Sequence, residues 1–391
     1  MKSDPVKTEH VIHFCDARKM KPVSSGSIDL VVTSPPYPMI AMWDEVFCGL
    51  DSTVGNALLK RNGFQAFERM HRILDRVWKE LGRVVRTEGF VCINIGDAVR
   101  KIRDDFCLYP NHARIMSAMQ ENGFMPLPAV IWRKQTNAPN KFMGSGMLPA
   151  GAYVTLEHEY VLIFRKGGKR EFMTESEKAG RRASAFFWEE RNQWFSDVWF
   201  DLKGVRQDIC DKDVRKRSAA YPFELPYRLI NMYSVKGDVV LDPFAGTGTT
   251  MLAAMASARN SVSCEIAPEF AGIIDSRVSG FKDFANNYIR ERISRHKDFI
   301  AERMAAKKPV KYVNVPHGFP VMTRQELGLC FEQLGRIEKT GENRYEVTYV
   351  PVAAQETAAA PAAPDTVEST SKKGGSGIKK TEIPGSQLSL F

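Results

Sequence analysis

Two short segments of the chain contain residues whose types and spacing are suited to chemistry. The first is a Thr-Ser-Pro-Pro-Tyr string that ends the apolar run at 30–32. Proline cannot donate to a sheet and restricts the residue before it, so we expect the strand to stop at about Ser34 and a stiff turn to follow. Such a turn would hold the Ser34 hydroxyl, the carbonyl of Pro35, fixed by Pro36, and the ring of Tyr37 in set positions. On its own, the string more often marks an ordinary proline turn.

The second segment is a glycine loop, LDPFAGTGTT, which follows the apolar run at 239–241. A helix rich in alanine and methionine is predicted to start at about Thr249. Gly246 and Gly248 at a strand-to-helix turn would let a ligand approach the backbone, with the helix N-terminus behind it. The loop lacks the third glycine of a dinucleotide site and the Gly-Lys-Ser/Thr of a Walker loop. A phosphate-rich cofactor is therefore disfavoured.

Acidic and aromatic residues near the loop narrow the choice of ligand. Glu265 ends the next predicted strand, 19 residues after Gly246, where a carboxylate is able to accept hydrogen bonds from both ribose hydroxyls. Asp242 would repel phosphates but suits an ammonium group, and the ring of Phe244 suits a nearby sulfonium. A nucleoside with an amino-acid arm, S-adenosyl-L-methionine, meets these requirements. The alternative is a glycine-rich turn needed only for tight packing.

The elements that must position these segments follow an α/β pattern. Residues 1–275 alternate short apolar runs with helical periodicity, which predicts one large sheet covered by helices. A helix with one buried stripe is predicted over 64–85. The seven candidate strands are residues 11–14, 28–33, 90–95, 129–132, 160–164, 239–241 and 262–264.

Beyond residue 165 the organisation changes. Residues 165–217 lose periodicity and interleave basic with aromatic residues, before regular structure resumes at 218–275. We expect a long basic helix over 276–307 and a small appended α+β unit containing a hairpin over 308–352. The Ala-, Pro-, Ser- and Gly-rich stretch 353–386 predicts a disordered tether.

Composition excludes several classes of protein. The chain has 391 residues with 43% hydrophobic and 26% charged residues, as in ordinary globular proteins. No apolar run approaches the roughly 18 residues of a membrane span, and the N-terminus lacks the apolar core of a secretory signal. The seven cysteines are dispersed and odd in number, which predicts reduced thiols in the cytoplasm. The histidines are equally scattered, so we expect no metal site.

The two chemical segments together resemble the amino-group DNA methyltransferases, in the β arrangement where the catalytic segment precedes the cofactor segment. The resemblance covers residues 10–275, with a catalytic half at 10–165 and a cofactor half at 218–275. It implies a Rossmann-like S-adenosylmethionine-dependent methyltransferase fold of the α/β class, with a seven-stranded, mostly parallel sheet and a circularly permuted motif order. By the same resemblance, HFCDARK places Asp16 near the cofactor adenine, and AAYPFELPYRLI places Phe223 beside the methionine arm.

The resemblance also implies a reaction. Ser34 and the Pro35 carbonyl would grip the hydrogens of an exocyclic amino group, while Tyr37 stacks on a base rotated out of the duplex. The methyl group would pass directly from sulfur to nitrogen. Serine at position 34, where aspartate often accompanies adenine, favours the amino group of cytosine (cytosine-N4). Adenine-N6 methylation remains the alternative within the enzyme class, and an inactive DNA-binding or clamp-tethered adaptor is the alternative outside it.

Double-stranded DNA is the expected partner, and the formal net charge of +9 is compatible with a polyanion. The target-recognition part is predicted at 165–217, where the basic candidates are Arg181, Arg182, Arg191, Lys203 and Arg206. We expect a cytoplasmic, nucleoid-associated protein without a membrane role. A restriction endonuclease, if there is one, would be a separate chain.

The last five residues form a distinct motif. Gln387, Leu388, Ser389, Leu390 and Phe391 end the polar tail with apolar side chains, which a disordered tail has no means to bury. The string resembles the short peptide by which bacterial replication and repair proteins bind the DNA sliding clamp. The alternatives are chance, or a tail that folds back on its own domain.

Overall fold

The structure is a computed structural model that describes residues 6–102, 105–134, 143–144, 148–202 and 221–352. Its strands are β1 (Lys7–Phe14), β2 (Ile28–Thr33), β3 (Val85–Ile95), β4 (Ala98–Ile102), β5 (Asp105–Tyr109), β6 (Phe124–Arg133), β7 (Met143–Gly144), β8 (Ala152–Tyr153), β9 (His158–Lys166), β10 (Val198–Trp199), β11 (Val239–Asp242), β12 (Asn260–Glu265), β13 (Tyr312–Val313), β14 (Pro320–Val321), β15 (Glu332–Gly341) and β16 (Arg344–Pro351). Its α-helices are α1 (Asp44–Leu50), α2 (Ser52–Leu59), α3 (Gly63–Val84), α4 (Asn111–Glu121), α5 (Glu175–Ala183), α6 (Trp188–Trp194), α7 (Glu224–Tyr233), α8 (Thr249–Ala256), α9 (Ala271–Ser279) and α10 (Phe281–Ala305).

Within the described ranges, the main sheet has ten strands in the order β10-β6-β9-β3-β2-β11-β12-β1-β16-β15. Strands β3, β2, β11, β12 and β1 run parallel, whereas β9 is antiparallel to both β3 and β6. The seven strands predicted from the sequence occupy the seven adjacent places from β6 to β1. The prediction is therefore correct for the centre of the sheet, and three further strands extend it at its two sides.

The C-terminal hairpin is part of the main sheet, which corrects the expectation of an appended unit at 308–352. β16 pairs antiparallel with β1, and β15 pairs with β16. Tyr345, Val347 and Tyr349 alternate along β16 and are buried. Asn286 of α10 fixes the outer strand, because its amide donates to the Leu334 carbonyl at 3.0 Å and accepts from the Leu334 amide at 2.8 Å. The hairpin thus covers what would otherwise be an open edge at β1.

Helices cover both faces of the sheet. One apolar cluster contains Leu30 and Val32 together with buried residues of α7 to α10, and the other contains Val31 together with residues of α1 to α4. This alternation along β2 is the pattern of a strand buried on both sides. In the described ranges of the chain, no helix is long and apolar enough to cross a membrane.

Among the helices that were predicted from the sequence, the one expected at 276–307 differs from the structure. α3 matches the predicted 64–85 helix, and Asn62 caps it by accepting from the Gln65 amide at 3.1 Å. The single basic helix expected at 276–307 is instead two helices that meet at Gly280. Arg292 on the second of them is 4% exposed, so this part of the basic helix faces the core rather than solvent.

Candidate functional site

The two chemical segments meet at one edge of the sheet. Because β2 and β11 are adjacent and parallel, the turn after Thr33 and the loop after Asp242 leave the sheet side by side. A cavity of about 500 Å³ opens there, and residues of both segments line it. We call it the edge cavity. Sequence positions some 200 residues apart thereby share one site, as predicted.

The turn after β2 is held by hydrogen bonds to neighbouring strands. Ser34 Oγ donates to the Tyr37 hydroxyl at 3.2 Å, and the Tyr37 hydroxyl donates to Glu159 Oε2 at 2.9 Å. Asn94 Nδ2 donates to the Tyr37 hydroxyl at 2.8 Å and to Glu159 Oε2 at 2.6 Å. Burial, together with the charge of Glu159, raises the pKa of Tyr37 well above its usual value. The tyrosine therefore keeps its proton and its ring position.

Asp242 is the centre of a second hydrogen-bond cluster. Its Oδ1 accepts from Thr33 Oγ1 at 2.6 Å and from the Phe244 amide at 3.0 Å. Its Oδ2 accepts from Thr250 Oγ1 at 2.6 Å and from the Tyr221 hydroxyl at 3.4 Å. Burial raises the pKa of this carboxyl, against the stabilising effect of the hydroxyl donors. Because four donors already occupy the acceptor sites of Asp242, this residue acts on the edge cavity through its negative charge rather than through further hydrogen bonds.

The glycine loop adopts the conformation that only glycine takes easily. Gly246 and Gly248 have φ angles of 49° and 78°, in the left-handed region. Glu265 supports the loop, because its Oε2 accepts from the Gly246 amide at 2.7 Å and its Oε1 accepts from the Ala267 amide at 3.0 Å. Burial raises the pKa of Glu265, which those two backbone donors partly oppose. A carboxylate on this wall retains acceptor sites for a ligand.

An arginine holds the far side of the same loop. Arg277 Nη1 donates to the Thr247 carbonyl at 2.6 Å and to Thr247 Oγ1 at 2.7 Å, and to Thr249 Oγ1 at 3.1 Å. Thr247 and Thr249 line the edge cavity together with Phe244, whose ring meets Trp78 edge-on at 6.4 Å between centroids. The loop is thus fixed from both sides before a ligand binds.

Comparison with known proteins identifies the family. The family model described as DNA methylase matches residues 28–276, more than half of the chain. The Type II methyltransferase M.MthZI of Methanothermobacter thermautotrophicus is 50% identical over 345 residues, which cover 88% of this chain and 96% of that protein. The chain belongs to the N6/N4 DNA methylase family. The Type II methyltransferase M.MjaI of Methanocaldococcus jannaschii is 45% identical over 289 residues, which cover 71% of this chain and 94% of that protein.

A solved structure supports the fold of this DNA methylase. A Thermus thermophilus protein, described as a putative DNA modification methylase and crystallised with S-adenosyl-L-methionine, has 31% sequence identity and a TM-score of 0.53. The match covers 68% of this chain and 92% of that chain. The predicted α/β methyltransferase fold is therefore confirmed.

The edge cavity of the methylase includes most of the predicted cofactor residues but not all. Asp16, Phe244, Gly246, Thr249 and Glu265, as well as Asp242, line it. Asp16 caps a 3₁₀ turn by accepting from the Arg18 amide at 2.8 Å and also forms an ion pair with the Arg18 side chain at 2.6 Å. Burial opposes ionisation of this carboxyl, but the contacts with Arg18 lower its pKa overall.

Two predicted cofactor residues lie away from the cavity lining. Phe223 sits just before α7 and packs in an aromatic cluster with Phe284 and Tyr288, each 5.1 Å away between ring centroids. Tyr221 lines the cavity instead, because α7 begins after the Tyr-Pro-Phe turn and carries Phe223 toward α10. Gly248 supplies the backbone conformation at the start of α8 rather than a wall.

The predicted DNA-binding residues fall into two groups. Arg181 and Arg182 on α5, and Arg191 on α6, are exposed, whereas Lys203 and Arg206 lie outside the described residues. The aromatic residues interleaved with them are divided between core and surface. Phe187 and Trp194 are 0% and 3% exposed, whereas Phe195 and Phe200 are 44% and 63% exposed. The clamp-like residues 387–391 also lie outside the described part of the chain.

Several cavity residues were missed by sequence reasoning. Asn94, Lys134, Glu159 and Tyr221 line the edge cavity. Asn94 was detectable as a single amide within the apolar strand CINI. Glu159 and Lys134 are brought there only by the antiparallel placement of β9 between β3 and β6, which the local sequence does not encode.

Proposed function

We propose that the chain is an S-adenosyl-L-methionine-dependent DNA methyltransferase that methylates the exocyclic amino group of cytosine in duplex DNA. One observation supports the proposal most strongly: a single cavity is lined by the Ser34–Tyr37 turn on one side and by the glycine loop on the other. A direct transfer needs the methyl donor and the acceptor amino group within one enclosed space, since no covalent intermediate carries the methyl group between them.

The residues of the cavity suit the methyl donor. The volume of about 500 Å³ lies in the roughly 300–1,000 Å³ range of small-molecule sites. Glu265 would hold the ribose hydroxyls, Asp16 the adenine end, and Asp242 would supply charge opposite the ammonium group. When bound, S-adenosylmethionine supplies a methyl group on a positively charged sulfur. The ring of Phe244 would face that charge.

The chain's own residues would prepare the amino group. The Ser34 hydroxyl and the Pro35 carbonyl accept its two hydrogens, which favours a pyramidal nitrogen whose lone pair points at the methyl carbon. Tyr37 offers its ring to the base that has been rotated out of the duplex. Serine at position 34 favours cytosine over adenine as that base. The exposed arginines Arg181 and Arg191 would contact DNA phosphates.

Sequencing of modified DNA tests this proposal. DNA from cells that express the chain is sequenced by a single-molecule method that distinguishes N4-methylcytosine from N6-methyladenine. We expect N4-methylcytosine at one recurrent sequence, which also gives the recognition site. N6-methyladenine would refute the choice of base, and unmodified DNA with retained binding of S-adenosylmethionine would favour the inactive adaptor.

Variants of the turn separate catalysis from cofactor binding. Ser34→Ala and Tyr37→Ala should abolish methyl transfer while S-adenosylmethionine binding, measured by calorimetry, is retained. Ser27→Ala is a matched control, because Ser27 Oγ only donates to the Ser24 carbonyl at 2.8 Å on the surface. Loss of cofactor binding in the Tyr37 variant would show that the two halves of the site are assigned wrongly.

The C-terminal residues 387–391 are proposed to bind the bacterial DNA sliding clamp. Apolar anchors on a tether suit a groove-binding peptide, and such tethering would bring the enzyme to newly made DNA. Deletion of the last five residues should abolish clamp binding in a pull-down with purified clamp, whereas deletion of residues 373–377 should not. Unchanged binding after the first deletion would refute this part.

Relatives are named as Type II methyltransferases, so a partner restriction endonuclease on a separate chain is also proposed; an orphan role is equally open.

A further inference from the structure

A hydrogen-bond chain connects the proposed amino-group acceptor to a buried carboxylate. It runs from Ser34 Oγ to the Tyr37 hydroxyl at 3.2 Å and on to Glu159 Oε2 at 2.9 Å. Glu159 is 9% exposed and lines the edge cavity. It is the only acidic residue in the described part of the chain that contacts the turn after β2 through a side-chain hydrogen bond. The series of hydrogen bonds therefore has a charged end at Glu159 and a second end at Ser34, which lines the edge cavity.

The partners of Glu159 determine the direction of this chain. Glu159 Oε1 forms an ion pair with Lys134 Nζ, and a carboxylate paired with an ammonium group only accepts hydrogen bonds. The Tyr37 proton must then point at Glu159. Asn94 reinforces this direction, because its Nδ2 donates to both Glu159 and Tyr37, while its Oδ1 is buried with no partner among the described residues.

The same direction reaches Ser34. Because the Tyr37 hydroxyl uses its proton on Glu159, its oxygen accepts from Ser34 Oγ. The Ser34 hydroxyl has one proton and two lone pairs, so this arrangement occupies the proton and leaves the lone pairs for a donor. A carboxylate at position 34 would be an acceptor without help, whereas a hydroxyl facing a ligand is free to donate or to accept.

We infer that Glu159 is a positioning residue that acts through Tyr37 to make Ser34 a hydrogen-bond acceptor, and so selects a base that carries an amino group over one that carries a carbonyl oxygen. This inference rests on the proposed role of Ser34 as the acceptor for the amino group. Glu159 itself touches neither reacting atom in this scheme. It sets which end of each hydroxyl points toward the ligand.

Replacement of Glu159 by glutamine tests the inference. The amide is able to donate to Tyr37, which allows the whole chain to reverse and leaves the Ser34 proton facing the base. Binding is measured by fluorescence anisotropy, with S-adenosylhomocysteine present, for two duplexes that carry the sequence identified by sequencing. One duplex has the target base, and in the other a carbonyl oxygen replaces its amino group (uracil for cytosine, hypoxanthine for adenine).

In the wild type we expect tighter binding of the amino duplex. In Glu159→Gln this preference should fall roughly 10-fold and the single-turnover rate roughly 10- to 100-fold, as expected for loss of a hydrogen bond to a charged group. Tyr37→Phe, which keeps the ring but interrupts the chain, should lose the preference to the same extent. Binding of S-adenosylmethionine should stay unchanged in both variants, which shows that they fold.

Two controls isolate the carboxylate. Glu157 lies just before β9, and its carboxylate pairs with Arg133 at 3.1 Å. Glu157→Gln should leave the single-turnover rate and the preference for the amino duplex unchanged. Lys134→Gln removes the ion pair that keeps Glu159 an acceptor only, and it should reduce the preference for the amino duplex less than Glu159→Gln does, because the carboxylate is retained. A rate that falls in Glu159→Gln without any change in preference, or a rate that does not fall, would overturn the inference.

Failure of the proposed function is distinguishable from failure of this inference. The proposed function fails if the wild-type chain methylates no amino group. The inference fails if the wild-type chain is active and Glu159→Gln or Tyr37→Phe retains the preference between the two duplexes. Use of hypoxanthine keeps the test valid for an adenine target.

Discussion

Glu265→Gln is the sharpest test of the proposed cofactor site, which is the side of the edge cavity formed by Glu265 and the glycine loop. The Glu265 carboxylate accepts two backbone N–H groups, from Gly246 at 2.7 Å and from Ala267 at 3.0 Å. A glutamine side chain has one acceptor oxygen, so its NH₂ group must face one of these amides or turn toward the ligand. Either arrangement leaves a buried donor without an acceptor, which costs about 1–3 kcal/mol.

The loss of cofactor affinity follows from the same count. Two ribose hydroxyls that bind a carboxylate make charge-assisted hydrogen bonds, and glutamine would keep one of them in neutral form. The combined loss is about 3 kcal/mol, which corresponds to a roughly 100-fold weaker Kd for S-adenosylmethionine. Isothermal titration calorimetry measures it directly. The exposed Glu269 provides the matched control, and Glu269→Gln should keep wild-type affinity.

A deoxyribose analogue and a pH series complete the test. A 2′-deoxy analogue of the cofactor should bind the wild type more weakly and lose less on Glu265→Gln than the ribose form. Because burial raises the pKa of Glu265, its proton returns at a higher pH than for an exposed glutamate, so wild-type affinity should fall as the pH is lowered through that raised pKa. The fall should be smaller in Glu265→Gln. Equal losses for the ribose and deoxyribose ligands would refute the assignment of Glu265 to the ribose.

Three further predictions concern groups that stabilise the fold and the loop. Arg292→Met should lower the free energy of unfolding by about 3–5 kcal/mol, because it leaves the buried Glu190 carboxylate, which lies 2.6 Å from the Arg292 guanidinium, without its partner. In denaturant unfolding, the double variant Arg292→Met/Glu190→Gln should lose less of this free energy than Arg292→Met alone. Burial lowers the pKa of His10 to about 3, so below pH 6.5 the unfolded chain binds a proton that the folded chain does not bind. Between pH 7 and pH 5, the free energy of unfolding of the wild type should therefore fall by about 2 kcal/mol more than that of His10→Gln, as measured by urea unfolding. Arg277→Met removes the donor to the Thr247 carbonyl and hydroxyl and should weaken S-adenosylmethionine binding roughly 10-fold by calorimetry; unchanged affinity would show that the loop holds its own shape.

The local features of the fold were predictable from the sequence because they depend on neighbouring residues. The seven central strands were visible as apolar runs, and α3 was visible as a helical stripe. The two chemical segments were predictable for the same reason: proline and glycine restrict or release the backbone at their own positions. Their convergence at one sheet edge was implied by the family resemblance, because the pairing of β2 with β11 joins residues that are distant in the sequence.

The remaining features depend on pairings between distant residues. Nothing local to 344–351 indicates that this strand pairs with β1, and nothing local to Glu159 indicates that β9 brings it to Tyr37. The sequence predicted a basic helix at 276–307, but its periodicity does not reveal that Arg292 is buried against Glu190 and Tyr227. Phe223 lies outside the cavity lining and Tyr221 lies in it, because the start of α7 decides which aromatic ring faces the cavity.

The position of β1 has a consequence for synthesis of the chain. Among the described strands of the main sheet, β1 is synthesised first, yet both of its neighbours come much later. His10 binds Ser261, 251 residues further on, at 2.8 Å, and Thr8 binds Tyr349, 341 residues further on, at 2.8 Å. At about 5–20 residues per second, the first partner appears roughly 10–50 seconds after β1. β1 must therefore remain unpaired until β12 has been synthesised, and a nascent chain that stalls before the β15–β16 hairpin leaves the other side of β1 open to other strands.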